Sequence, residues 1–185
     1  MEIIISQREI PISKKYIISV DGHDTYSAIQ SHSLFRQEIF LYKTDESERP
    51  RIKITNKQAW FKATYDIVRW DNNTIQFRTK SVWRLSYYCS YGHDTYFIIG
   101  HRGRRFSIFR NKKQVAWWEK NILPWVGSYK FIIYADRDSD IDLVISFCLI
   151  IDNYFDKDTE NNTLHYDLGN IGCEERPFDL LWRPK

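Results

Sequence analysis

The chain has few of the residues that punctuate, cross-link or catalyse. Glycine (7) and proline (5) are scarce among 185 residues, which argues against a low-complexity or disordered polypeptide. Three cysteines, Cys89, Cys148 and Cys173, stand far apart and never form a C-x-x-C pair. That excludes a disulfide framework and reads as free thiols in a reducing compartment. No window approaches the roughly 18 apolar residues of a membrane-spanning helix. The start, Met1-Glu2-Ile3-Ile4-Ile5-Ser6, is acidic and its apolar run is short, so no signal peptide is expected. A soluble, cytoplasmic protein follows. The net charge of +3 is too small for a dedicated nucleic-acid binder. No G-x-S-x-G, H-E-x-x-H, P-loop or G-x-G-x-x-G occurs. The reading is a non-catalytic protein without a cofactor.

What the chain does have is aromatic residues, 16% of the total, which suit a pleated, half-buried surface. Most of the sequence alternates with period two. From Ile75 to Tyr87 the odd positions carry Ile75, Phe77, Trp83, Leu85 and Tyr87, and the even ones Gln76, Arg78, Lys80, Arg84 and Ser86. Such alternation sends one set to a core and the other to water. Further strands are predicted at Arg51–Thr55, Trp60–Trp70, Thr95–Ile99, Phe106–Arg110, Gln114–Lys120 and Tyr129–Ala135. Turn chemistry separates them at Asp21-Gly22, Asp71-Asn72-Asn73, Tyr91-Gly92, Arg102-Gly103 and Asn111-Lys112, with a polar loop over Tyr42–Pro50. Short loops between alternating runs mean hairpins, hence an antiparallel meander.

One segment breaks the pattern. Nine of the eleven residues from Ile141 to Ile151 are apolar. Six of the eleven are β-branched or aromatic, which favours a strand, but the run is long for one. Ser139 and Asp142 have capping-box spacing, and Asp138 and Asp140 would suit a helix dipole. A helix over Asp140–Phe155 is predicted. A helix apolar on every side must be surrounded, and strands wrapped around it would do so. The rest, 156–185, is polar and acidic, with four Lys/Arg against seven acids.

A run of antiparallel strands followed by an apolar helix resembles the Tubby C-terminal-like superfamily, in particular the LURP-one-related proteins and phospholipid scramblases. The resembling residues are Tyr96–Gly100, Arg104–Ile108, Gln114–Ala116, Tyr129–Ile133 and, most strongly, Asp140–Asp152. The resemblance implies a mainly β fold: a closed antiparallel barrel of about twelve strands around a central hydrophobic C-terminal helix, occupying 1–155. It also implies binding of anionic phospholipid headgroups, or scaffolding at membranes. No phosphoinositide-site motif matches residue by residue, so no binding residue is carried over. The tail to Lys185 departs from the family's pattern.

Three constellations are candidates for function. Gly-His-Asp-Thr-Tyr occurs at Gly22–Tyr26 and again at Gly92–Tyr96. His23, Asp24, His93 and Asp94 are metal ligands by type, yet Gly-His-Asp also reads as a hairpin turn entering a strand. Asp136, Asp138, Asp140 and Asp142 alternate like a calcium loop. The glycine and the bidentate glutamate that such a loop needs are replaced by Ile141 and Phe147. Scramblases carry a proposed calcium-binding acidic stretch in the same region, so Asp136, Asp138 and Asp140 stay open as metal candidates beside the capping reading. The basic residues are the leading candidates. Arg78, Lys80 and Arg84 would share one strand face. Arg102, Arg104, Arg105, Arg110, Lys112 and Lys113 crowd the next hairpin, where seven Lys/Arg oppose one acid between Ile99 and Lys120. Guanidinium groups bind phosphate bidentately, and polybasic patches are drawn to anionic leaflets. The expected partner is an anionic membrane surface or a phosphoinositide-type lipid. The alternatives are a protein partner on an ordinary solvated exterior, and a metal-dependent enzyme using the His-Asp turns.

Overall fold

Hairpin after hairpin, the alternating runs close on themselves. The computed structural model describes residues 1–10, 13–32, 37–46, 48–57, 64–123, 128–161 and 174–185. Among them are twelve strands: β1 (Glu2–Ile10), β2 (Ser13–Val20), β3 (His23–His32), β4 (Gln37–Lys43), β5 (Ile52–Asn56) and β6 (Thr64–Arg69). The second half supplies β7 (Thr74–Ser81), β8 (Ser86–Tyr91), β9 (Asp94–His101), β10 (Arg105–Arg110), β11 (Lys113–Leu123) and β12 (Ser128–Ala135). Each strand pairs antiparallel with its neighbours in sequence, and β1 closes the ring on β12 with Glu2 opposite Tyr134 and Ser6 opposite Lys130. The result is a closed meander barrel.

The helix α1 (Ile141–Asn161) follows β12 and fills the barrel. Leu143, Val144, Ile145, Phe147, Cys148, Leu149, Ile150 and Ile151 are each at most 2% exposed. They lie on every side of the helix, so strands must cover all of it. The Phe147 ring packs against Phe77 and Tyr96, with centroids 5.8 and 5.7 Å away. Burial pushes the Cys148 thiol well above its usual pKa, and that of Cys89 up to about 12.

Several local expectations are corrected. Asp140, not Ser139, caps the helix: its Oδ1 accepts the Leu143 N–H at 3.1 Å, while Ser139 Oγ donates to the Asp136 carbonyl at 2.6 Å. Asp142 takes no capping role and meets Arg51 at 3.2 Å instead. The helix ends at Asn161, six residues beyond Phe155. The run Ile75–Tyr87 is two strands rather than one. The chain folds back through Val82–Leu85, so that Thr79 pairs with Tyr87 and Ser81 with Ser86. Ser81 Oγ accepts the Arg84 N–H at 3.3 Å and Leu85 takes a φ of 43°, closing a turn without glycine or proline. Of the predicted strand Trp60–Trp70, residues 60–63 lie outside the described residues, and Cys173 does too.

The tail Glu174–Lys185 lies against the outside of the barrel. Ile98, Phe106 and Ile108 point inward to the core, so Ile99, His101, Ser107 and Phe109 point outward. These four are nevertheless at most 7% exposed. Phe178 covers His101 and the neighbouring Trp117, with its ring 5.2 Å from both. Arg176 sits over the Phe109 ring at 4.6 Å. At the far end Arg137 N–H donates to the Lys185 carbonyl (3.0 Å), and Lys185 N–H to Asp136 Oδ1 (2.7 Å).

Candidate functional site

A meander barrel sorts its hairpins between two ends, and this decides which basic residues meet. The turns at Val82–Leu85 and Arg102–Arg104 share one end. The turns at Asp71–Asn73, Gly92–His93 and Asn111–Lys112 share the other, where α1 begins. β10 has six residues, so it spans about 20 Å between the ends. The charge that is dense in sequence is therefore divided in space.

Arg84, Arg102 and Arg104 go to the first end. Arg84 sits in the turn, which removes it from the face it was expected to share with Arg78 and Lys80. Beside it Val82 is 42% and Trp83 90% exposed. The two side chains form a small exposed apolar tip beside the Arg84 charge. Arg110 and Lys113 go to the other end, against acids. Arg110 Nη2 lies 2.7 Å from Asp138 Oδ2, and Lys113 Nζ 3.8 Å from Asp136. Arg105 stays on the wall, 3.4 Å from Glu119 and over the Phe178 ring.

One cleft on the wall unites two of the candidates from β7 and the β10–β11 turn. Lys80 and Lys112 line a depression of about 210 Å³ with Phe97, Phe109, Glu175 and Arg176. Lys80 Nζ stands over the Phe97 ring at 5.3 Å and pairs with Glu175. Burial opposes ionisation of Glu175, yet the Lys80 ammonium bonded to it and the nearby Arg84 charge hold its carboxyl below the usual range. Arg78, on the same outward face, reaches Gln76. Glu174 meanwhile accepts the Arg102 backbone N–H at 2.7 Å. The tail's two glutamates thus occupy positions that an anionic ligand would also choose, while Arg176 adds a cation that sequence reasoning missed.

The acidic stretch is distributed rather than gathered. Asp138 accepts from Arg110, which holds its carboxyl below the usual range, and Asp140 pairs with Arg69 at 2.7 Å. Among the described residues no three His, Cys, Asp or Glu side chains are grouped to hold a metal. The repeated Gly-His-Asp forms hairpin turns in both places, with φ of 86° at Gly22 and 59° at Gly92. The β2–β3 and β8–β9 turns are six strands apart in a ring of twelve, so they face each other across the barrel and cannot share an ion.

A second cluster missed from sequence lies inside the barrel, near the end where Trp83 sits. The Asp152 side chain is fully buried and takes Lys120 Nζ at 3.2 Å, Tyr16 Oη at 3.2 Å and Tyr129 Oη at 2.9 Å. Asn153 accepts from Tyr65 at 3.1 Å. Lys120 also stands 3.9 Å from the Tyr129 ring centroid. A buried carboxylate is costly unless its oxygens are satisfied by donors, and these supply them. No protein-family model, curated protein or solved structure matches this chain.

Proposed function

We propose that this protein is a non-catalytic module that docks on anionic phospholipid surfaces, peripheral to the inner face of a membrane. The observation that carries the reading is Trp83, 90% exposed at a hairpin tip between Val82 and Arg84. Trp favours the headgroup level of a bilayer, and each nearby cation adds about 1 kcal/mol at an anionic leaflet. Arg84, Arg102 and Arg104 share that barrel end, and the Lys80–Lys112–Arg176 cleft offers a place for a phosphate on the adjoining wall. Membership of the Tubby C-terminal-like superfamily belongs to the same proposal, since a barrel around an apolar helix is the architecture that family implies.

The test is co-sedimentation with vesicles. The protein should bind vesicles containing phosphatidylserine or a phosphoinositide and leave neutral phosphatidylcholine vesicles in the supernatant. Raising salt from 0.1 to 1 M should release it, because the screening length falls from about 10 Å to about 3 Å. Trp83→Ser and Arg84→Glu should each weaken binding without lowering the melting temperature, since both side chains stand in solvent. Indifference of the wild-type protein to every anionic vesicle at low salt would remove the proposal. The exposed pair Leu180 and Leu181, at 68% and 86%, favours a second reading, a protein-interaction module, which would then take its place.

A further inference from the structure

The tail is held at both ends and arched between them. Glu174 and Glu175 fasten it to Arg102 and Lys80, and Lys185 fastens it to Asp136 and Arg137. Within the arch, Asp179 Oδ1 accepts the Leu181 N–H at 2.9 Å, and Arg183 Nη1 donates to the carbonyls of Leu180 and Trp182. These bonds preset the arch. Beneath it lies a cavity of about 380 Å³, distinct from the lysine cleft. That volume is within the usual range of small-molecule sites, roughly 300–1,000 Å³.

The walls define what it would take. Trp117 and Tyr134 stand with centroids 4.9 Å apart and ring planes 31° from parallel. Phe178 meets Trp117 edge-on at 74°, so the barrel side is an aromatic corner. Trp182 lines the tail side. Flat apolar walls select flat rings, which gain from offset or edge contacts with them. Two guanidinium groups, Arg105 and Arg183, line the same space against one carboxylate, Asp179. Arg105 commits its Nε to Glu119, Arg183 its Nη1 to carbonyls, and Asp179 one oxygen to a backbone amide. A guanidinium has five N–H donors, so each arginine keeps capacity for an anion, which sets the sign of the ligand.

We infer that the cavity between the barrel wall and the C-terminal arch is a binding site for a planar aromatic molecule bearing one anionic group, a carboxylate, sulfonate or phosphate ester. The ring rests in the Trp117–Tyr134–Phe178 corner and the anion meets Arg105 and Arg183. The site owes nothing to the lipid reading, because Trp83 and the lysine cleft lie elsewhere.

Titration of the full chain with 2-naphthalenesulfonate, followed by calorimetry and by quenching of tryptophan fluorescence, tests this. One saturable site per chain is expected, and the neutral analogue 2-naphthalenemethanol should bind about tenfold more weakly for loss of a charged hydrogen bond. Arg183→Gln, at an exposed position, should cut sulfonate affinity about tenfold and weaken the alcohol less, by the loosening of the arch alone. Trp182→Ala should weaken both ligands. Each variant should melt like the wild type, and Arg105→Gln offers a second removal of charge should Arg183→Gln unfold. Failure to saturate, equal affinity for sulfonate and alcohol, or sulfonate binding unchanged in both Arg183→Gln and Trp182→Ala would overturn the assignment.

Discussion

Lys120 and Asp152 show how much one buried pair holds in place. Replacing one partner strands the other in a dry interior, a loss of roughly 3–5 kcal/mol, whereas an apolar pair of similar volume is often neutral. Urea denaturation should therefore find Lys120→Met strongly destabilised, and Lys120→Met with Asp152→Leu less destabilised than the sum of the two single variants, though short of the wild type because Tyr16 and Tyr129 lose their acceptor. Strict additivity of the two single losses would mean that they do not interact. His101 offers a different probe. Burial under the tail lowers its pKa below the usual 6.5, with Glu174 working to raise it and Arg105 to lower it further. Below pH 6.5 the unfolded chain takes up a proton that the folded chain refuses, so stability falls as pH drops from 6.5 through the folded value. His101→Gln keeps a hydrogen-bonding partner for Ser107, which His101 Nε2 meets at 3.0 Å, and removes the titratable group. Its melting temperature should fall less than that of the wild type between pH 7.5 and pH 5. Parallel curves would show that other groups carry the acid sensitivity.

At the scale of elements, the start of α1 rests on one carboxylate with two tasks. Asp140 caps Leu143 and pairs with Arg69, so Asp140→Ala should cost about 1–2 kcal/mol in thermal unfolding. Asp138, tied to Arg110 in solvent, should cost far less when replaced by Ala. Millimolar calcium should leave the wild-type melting temperature unchanged. A rise of several degrees, lost in Asp138→Ala, would return the acidic stretch to the metal reading. The elements differ in how clearly the chain announces them. The apolar run Ile141–Ile151 names its helix because nothing else can hide nine such residues. The hairpins at Asp21-Gly22 and Asn111-Lys112 name themselves because residues at positive φ must be tolerated there. The turn at Val82–Leu85 is silent: Trp83 and Leu85 continue the odd-position pattern by coincidence, and Ser81 closes the turn with a side-chain bond. The site was legible in kind but not in place. Arg104 and Lys112 are neighbours in sequence, yet a six-residue strand sends them to opposite ends. The cover supplied by the tail had a trace that alternation ignored, because Phe97, Ile99, Phe109 and Trp117 make the outer face of β9–β11 apolar as well.

Across the whole molecule, the tail is a second layer on a barrel that closes without it. Ile99 and Phe109 are buried outside the ring, and their cover is worth about 1.5–3 kcal/mol each. Removing residues 174–185 should lower the melting temperature by roughly 10 °C and raise the binding of a hydrophobic dye. Far-UV circular dichroism should keep its β signature, since the β1–β12 register involves no tail residue. Collapse of that signature would make the tail part of the barrel's framework.

Pairing β1 with β12 also sets a timetable for synthesis. Ile3 finds its partner Ile133 only after some 130 further residues have left the ribosome, on the order of ten seconds at ordinary rates of about 5–20 residues per second. The apolar plug, α1, comes later still. Until then the growing sheet has two open edges and an inner face lined with Ile, Tyr and Phe side chains that have nothing to cover them. Contacts this distant in sequence form slowly. The nascent chain therefore keeps its hydrophobic strands uncovered through most of synthesis, and a ribosome stalled shortly before residue 141 would hold out an open barrel wall with no filling.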